Sequence, residues 1–227
     1  MIRRVLVVLM LLACTVCVDA QTSDLARVEY TYFPQSNSEN SFRRFRTLIN
    51  APIRLKKDGS FLVFGAEYRN IDLKYQDSAP FITEDLERFQ SFNLSLGYTF
   101  KINDVWRFGV RAGTIAASNF EDGVKSDDFL VQAALYFIKD IDMENQPGTM
   151  KNKRLILGLR YSTTAGRPFP LPVINYNVRA SEKWSYTLGV PKTNLKYYFN
   201  EKNILQSFVT LDGFYANIQD RRIFLNS

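Results

Sequence analysis

From Phe92 to Ile102 the chain alternates without a break. Phe92, Leu94, Leu96, Tyr98, Phe100 and Ile102 are apolar, while Asn93, Ser95, Gly97, Thr99 and Lys101 between them are small or polar. Successive residues of a strand point to opposite faces, so the run specifies one apolar and one polar face. A helix would scatter the same residues around its circumference. The run also reaches the roughly 9–11 residues that a tilted strand needs to cross a bilayer.

The pattern recurs along the chain. Val28, Tyr30 and Tyr32 alternate with Glu29 and Thr31. Phe42–Lys56 sets Phe45, Thr47, Ile49, Ala51, Ile53 and Leu55 against Arg44, Arg46, Asn50 and Arg54. Phe61–Leu73 sets Leu62, Phe64, Ala66 and Tyr68 against Gly65, Glu67 and Arg69. Trp106–Thr114, Phe129–Phe137 and Leu155–Ser162 continue the series, with Arg107, Arg111 and Arg160 on the polar side. Shorter runs follow at Val173–Val178, Trp184–Val190, Leu195–Phe199 and Leu205–Tyr215. Thr163–Pro172 reads as a Gly/Pro-rich loop and Pro191 as a tight turn that ends a strand. The count is eleven strands, with Arg222–Leu225 as the start of a twelfth, and no segment keeps a helical period. The fold class is all-β.

The first twenty residues read as an export signal. Arg3 and Arg4 precede the apolar or small run Val5–Val18, and Val18-Asp19-Ala20 offers a small-residue cleavage site before Gln21. At fourteen residues that run is shorter than the roughly 20 of a membrane-spanning helix. Leu11-Leu12-Ala13-Cys14 is a weaker match to a lipoprotein box. Cleavage after Ala20 would remove both cysteines, Cys14 and Cys17, and with them any disulfide or thiolate metal site. It would also remove Arg3, Arg4 and Asp19, taking the net charge from +6 to +5. A balance of this size suits an anionic lipopolysaccharide surface, and equally serves plain solubility.

The chain has no histidine. That removes the commonest general base and the commonest transition-metal ligand. Ser-His-Asp and Cys-His nucleophile systems are excluded, and no spacing suggests another nucleophile or a phosphate cradle. The expectation is a non-enzyme without cofactor or metal, and Asp127-Asp128 reads as a solvated loop pair.

Alternation of this kind suits a transmembrane barrel or a soluble sandwich or lipocalin-like barrel. Three features favour the membrane. Short turns (Lys56–Gly59, Ile102–Asp104, Ser181–Lys183, Asn200–Lys202) and mostly longer loops (Pro34–Ser41, Lys74–Glu87, Ala117–Asp128, Thr163–Leu171) fall at opposite ends, although Lys139–Lys153 breaks the rule. Aromatic residues such as Tyr30, Phe100, Trp106, Phe137, Tyr161 and Trp184 gather at strand ends, as in interfacial girdles. The polar face is rich in glycine and serine, which suits a tightly curved lumen.

In the carboxy-terminal half, Leu171-Pro172-Val173-Ile174-Asn175-Tyr176, Trp184-Ser185-Tyr186-Thr187-Leu188-Gly189-Val190-Pro191 and Leu195-Lys196-Tyr197-Tyr198-Phe199-Asn200 form a recurring rhythm. It resembles an uncharacterised family of outer-membrane β-barrel proteins of Gram-negative bacteria, a domain of unknown function, over Arg27 to the end. The resemblance implies the fold and the membrane, and no activity. Barrels of this kind usually close on a complete strand with a terminal aromatic, whereas Ile223-Phe224-Leu225-Asn226-Ser227 stops partway, so a truncated closing strand is expected.

The resulting expectation is a signal peptide at 1–20 and one outer-membrane domain at 21–227, an antiparallel up-and-down transmembrane β-barrel of about 12 strands. Its partners would be outer-membrane lipid, lipopolysaccharide and the barrel-assembly machinery, with no nucleic acid. The candidate site is a set of lumen charges: Arg46, Arg54, Glu67, Arg69, Arg107, Arg111, Arg160 and Asp212. Arginine costs roughly 2–4 kcal/mol on the lipid face at the midplane, so these side chains belong inside. A water-filled basic lumen would favour anions. Pairing with Glu67 and Asp212 would instead plug the barrel. The role is thus structural or that of a narrow pore. The alternative is a soluble periplasmic barrel or sandwich that binds an apolar ligand.

Overall fold

The computed structural model describes residues 25–55, 59–78, 83–141, 153–163, 166–200 and 203–219. The expected export signal at 1–20, the expected strand start at Arg222–Leu225 and most of the Lys139–Lys153 connection lie outside them. Eleven strands form one antiparallel sheet in sequence order: β1 (Ala26–Pro34), β2 (Ser41–Arg54), β3 (Phe61–Lys74), β4 (Arg88–Lys101), β5 (Trp106–Ser118), β6 (Phe129–Ile141), β7 (Lys153–Ser162), β8 (Phe169–Arg179), β9 (Trp184–Val190), β10 (Lys192–Tyr198) and β11 (Ile204–Thr210). Helical structure among the described residues amounts to two 3-10 turns, Glu84–Leu86 and Ser126–Asp128, and the single 3-10 residue Thr163. No described helix is long and apolar enough to cross a membrane.

The alternation explains both the strands and the faces. Along β4, Ser91 and Ser95 are buried while Phe92, Leu94 and Leu96 are each about half exposed. Among the described residues, twelve polar side chains are buried against eight apolar ones, the reverse of a water-soluble core. One cavity of about 940 Å³ is lined by β1 to β7 and also by β10 and β11. The sheet is therefore curled, with its polar face inward and its two edge strands near each other. It is not closed: β1 and β11 share no ladder among the described residues. An all-β antiparallel sheet is what the structure holds, and the closed twelve-strand barrel is not seen.

Three boundaries differ from the sequence expectation. Strand β8 begins at Phe169, inside the stretch read as a loop. Pro170 and Pro172 pair only with β7, at Tyr161 and Leu159, because the β9 ladder starts at Ile174. A proline needs no donor on the side where no neighbour stands. Strand β10 begins at Lys192 rather than Leu195, which leaves Pro191 alone between β9 and β10. Strand β11 stops at Thr210, and residues 211–219 leave the sheet instead of extending it to Tyr215.

Candidate functional site

The cavity's charge is organised by strand register. Glu29 on β1 stands opposite Arg46 on β2, and Arg46 opposite Arg69 on β3. Two facing arginines repel unless an anion joins them. Glu67 does so, accepting from Arg46 Nε at 3.0 Å and Nη2 at 2.9 Å, and from Arg69 Nη2 at 3.0 Å. Glu29 adds a contact to Arg46 Nη1 at 3.4 Å and one to Arg27 Nε at 3.2 Å. The two-pronged Arg46–Glu67 pair fixes geometry as well as charge.

The third carboxylate arrives from outside the sheet. Asp212, two residues beyond β11, accepts from Arg44 Nη1 at 2.7 Å and lies 3.8 and 3.7 Å from Arg46 and Arg69. Arg69 also donates to the Gly213 carbonyl at 3.2 Å, and its guanidinium lies 5.9 Å from the Phe214 ring centroid. Phe214 meets Phe89 edge-on, with centroids 6.1 Å apart. The chain after β11 thus crosses to β2, β3 and β4 and ties the two ends of the sheet together through side chains.

This segment is anchored at its far end in a buried polar node. Asn217 forms a parallel bridge with Ser118, its N–H donating to the Ala117 carbonyl at 2.9 Å. The Asp128 carboxylate, 1 % exposed, accepts from Lys125 N–H at 2.7 Å, Asn217 Nδ2 at 3.0 Å and Gln219 Nε2 at 2.7 Å. Burial alone would raise the Asp128 carboxyl, but these donors together with Ser118 hold it below the ordinary carboxylate range. The expectation of a solvated Asp127-Asp128 loop holds for the exposed Asp127 and not for Asp128, which is a buried acceptor that anchors Asn217 and Gln219 beside the end of β5.

A second basic group lies deeper. Arg111 on β5 and Arg160 on β7 line one cavity of about 190 Å³ with Gly65, Asn93, Ser95 and Gln132. Arg111 donates to Ser95 Oγ through Nε at 3.1 Å and Nη2 at 2.6 Å. Gln132 donates to Asn93 Oδ1. Gly65 makes this possible, since a Cβ there would stand 2.3 Å from Arg111 Nη2.

Of the eight candidate charges, the structure brings together Arg46, Glu67, Arg69 and Asp212, with Arg111 and Arg160 in the adjoining cavity. Arg54 is exposed at the end of β2 and lines neither cavity. Arg107 also stands apart, donating to the Gly59 carbonyl at 2.6 Å. Glu29 and Arg44 belong to the cluster but were not singled out, although the alternation of β1 and β2 places both on the polar face. Asp128, Asn217 and Gln219 gave no signal, because nothing local distinguishes a caged loop aspartate from a solvated one. Among the described residues no group of three or more Asp, Glu, His or Cys could hold a metal.

The family model for a domain of unknown function, DUF6268, matches residues 16–223. The chain belongs to that family. No curated protein and no solved structure matches it.

Proposed function

We propose that this DUF6268 protein is a non-enzymatic transmembrane β-barrel of the Gram-negative outer membrane, exported by residues 1–20 and inserted by the barrel-assembly machinery. Ion pairs reach across one side of its interior cavity, so the role is structural or that of a narrow pore. The observation that carries this reading is the inverted polarity: the curled sheet turns charge and hydroxyls inward and Leu, Val and Phe outward. A contiguous apolar exterior of this extent needs a cover, and lipid is the cover that a barrel uses.

The outer face adds a second support. Phe45, Tyr68 and Phe92 form one aromatic group across β2, β3 and β4. Phe100, Phe108 and Phe137 form another across β4, β5 and β6. From Phe92 to Phe100 is about 26 Å along a strand, or about 20 Å of membrane depth at a 35–45° tilt, near the ~25 Å apolar band between aromatic girdles. Aliphatic Leu94, Leu96, Val110 and Leu135 lie between the two groups. A soluble carrier of an apolar ligand would need an apolar interior, and the lining of Arg, Glu, Ser and Asn weighs against it. The reading requires that the β1 and β11 edges find partners in the membrane, because bare backbone groups in lipid cost several kcal/mol each.

Carbonate extraction of cell envelopes, with gel mobility compared before and after boiling, tests the reading. It expects retention in the membrane pellet and a heat-modifiable band. Release into the soluble fraction would sink it. Single-channel recording in planar bilayers then separates a silent plugged barrel from a pore.

A further inference from the structure

The two basic groups of the interior differ in how their charge is met. Arg27, Arg44, Arg46 and Arg69 share three carboxylates. Arg111 and Arg160 have none: neither forms an ion pair with any described carboxylate, and Arg160 makes no hydrogen bond to a described residue. Glu67 is near enough to act electrostatically on Arg111, but both its oxygens are already held by Arg46 and Arg69. Arg111 and Arg160 are themselves close enough for their charges to repel.

The sheet has made room at this place. Arg111, Ala134 and Arg160 stand in one cross-strand row, with Gly97 on the other side of Arg111. The two arginine backbones are thus two strand spacings apart, about 9.6 Å. Only the methyl of Ala134 lies between them. Two unneutralised guanidiniums over a small-residue floor carry a cost that a bound anion removes, and a planar fork matches an oxyanion in two-pronged fashion. At about 190 Å³ the cavity is smaller than the roughly 300–1,000 Å³ of pockets for drug-sized ligands, so its occupant is small.

From this geometry we infer that Arg111 and Arg160 form a binding site for one small oxyanion, a phosphate, sulfate or carboxylate group, with Gln132 at its edge. The site goes beyond the barrel reading and stands whatever covers the outer face, because both arginines face inward. The oxyanion enters from the larger cavity, with which Arg46, Glu67, Asn93, Gln132 and Arg160 are shared.

The test is calorimetric titration of the full chain, folded in detergent micelles at constant ionic strength, with inorganic phosphate, acetate and chloride as probes. The expected result is saturable one-to-one binding of phosphate or acetate that exceeds chloride at least tenfold. Arg160→Gln and Arg111→Gln should each weaken it at least tenfold, while Arg88→Gln, on the exposed start of β4, should leave it unchanged. Arg160→Lys keeps the charge and loses the fork, so it should bind phosphate more weakly than wild type. Absence of saturable oxyanion binding by the folded wild-type chain would overturn the inference without recourse to any variant. Equal affinity in Arg160→Gln, or chloride bound as tightly as phosphate, would overturn it as well. Carbonate extraction does not depend on this site, so the two readings can fail separately.

Discussion

Asp128 concentrates the strongest local constraint on a single carboxylate. Its two oxygens receive donors from Lys125, Asn217 and Gln219 with almost no exposure. Because its pKa is lowered on folding, the carboxylate contributes stability above the unfolded value, about 3.9, and that stability is lost as pH falls through the lower folded value. The protection of residues 217–219, as exchange relative to the intrinsic rate at each pH, should accordingly hold from neutral pH down to about pH 4 and fall only below it. Asp128→Asn puts an amide NH₂ where one set of donors expects an acceptor. Local opening should become easier by about 1–3 kcal/mol, read as faster exchange and earlier proteolytic cutting after Thr210. Unchanged exchange in Asp128→Asn would show that the Asn217 bridge to Ser118 holds the segment without the carboxylate.

Asp212 works at the same scale but with less burial, so its worth is smaller. Its side chain is 27 % exposed and that of Arg44 18 %, and solvent screens part of their attraction. A double-mutant cycle of Asp212→Asn with Arg44→Gln should give a coupling of about 1 kcal/mol. Additivity of the two would mean that Asp212 acts through Arg46 and Arg69 instead.

At the scale of the strand, glycines differ by what stands against them. A Cβ at Gly65 meets the tip of Arg111 and the hydroxyl of Ser95, groups that can swing aside. A Cβ at Gly113 would lie 2.3 Å from the Leu94 carbonyl oxygen, part of the β4–β5 ladder. Gly113→Ala should therefore lower thermal stability clearly more than Gly65→Ala, on the scale of the 1–3 kcal/mol seen for overpacking. Gly65→Ala should chiefly displace Arg111 from Ser95. Equal melting temperatures for the two variants would mean that the ladder yields as readily as a side chain. Strands of this kind were legible from alternation alone, because period two ties every residue to a face. Positions set by a missing neighbour were not: Pro170 and Pro172 look like loop residues until the short reach of β9 is known. The end of β11 was equally hidden, since Leu205–Tyr215 alternates well enough and only the distant arginines draw Asp212 away.

For the molecule as a whole, polarity is the property on which the bilayer and soluble readings part. Leu94 sits midway along β4, faces away from the cavity and is 52 % exposed. In a soluble protein, exchanging so exposed a side chain for arginine changes stability by no more than about 0.5 kcal/mol. In a bilayer the same change at the midplane costs roughly 2–4 kcal/mol. Leu94→Arg should therefore lower the folded fraction in lipid vesicles sharply while leaving the chain folded in detergent micelles, where the belt is fluid. The matching change at an aqueous tip, Val124→Arg in the β5–β6 loop, should be silent in both. The contrast isolates depth from charge, since both variants add one guanidinium to an exposed apolar position. If both are silent in vesicles, the outer face does not meet lipid, and a protein surface must cover Phe92, Leu94 and Leu96. The interior would keep its charge pattern in that case, because it rests on strand register and not on the solvent outside.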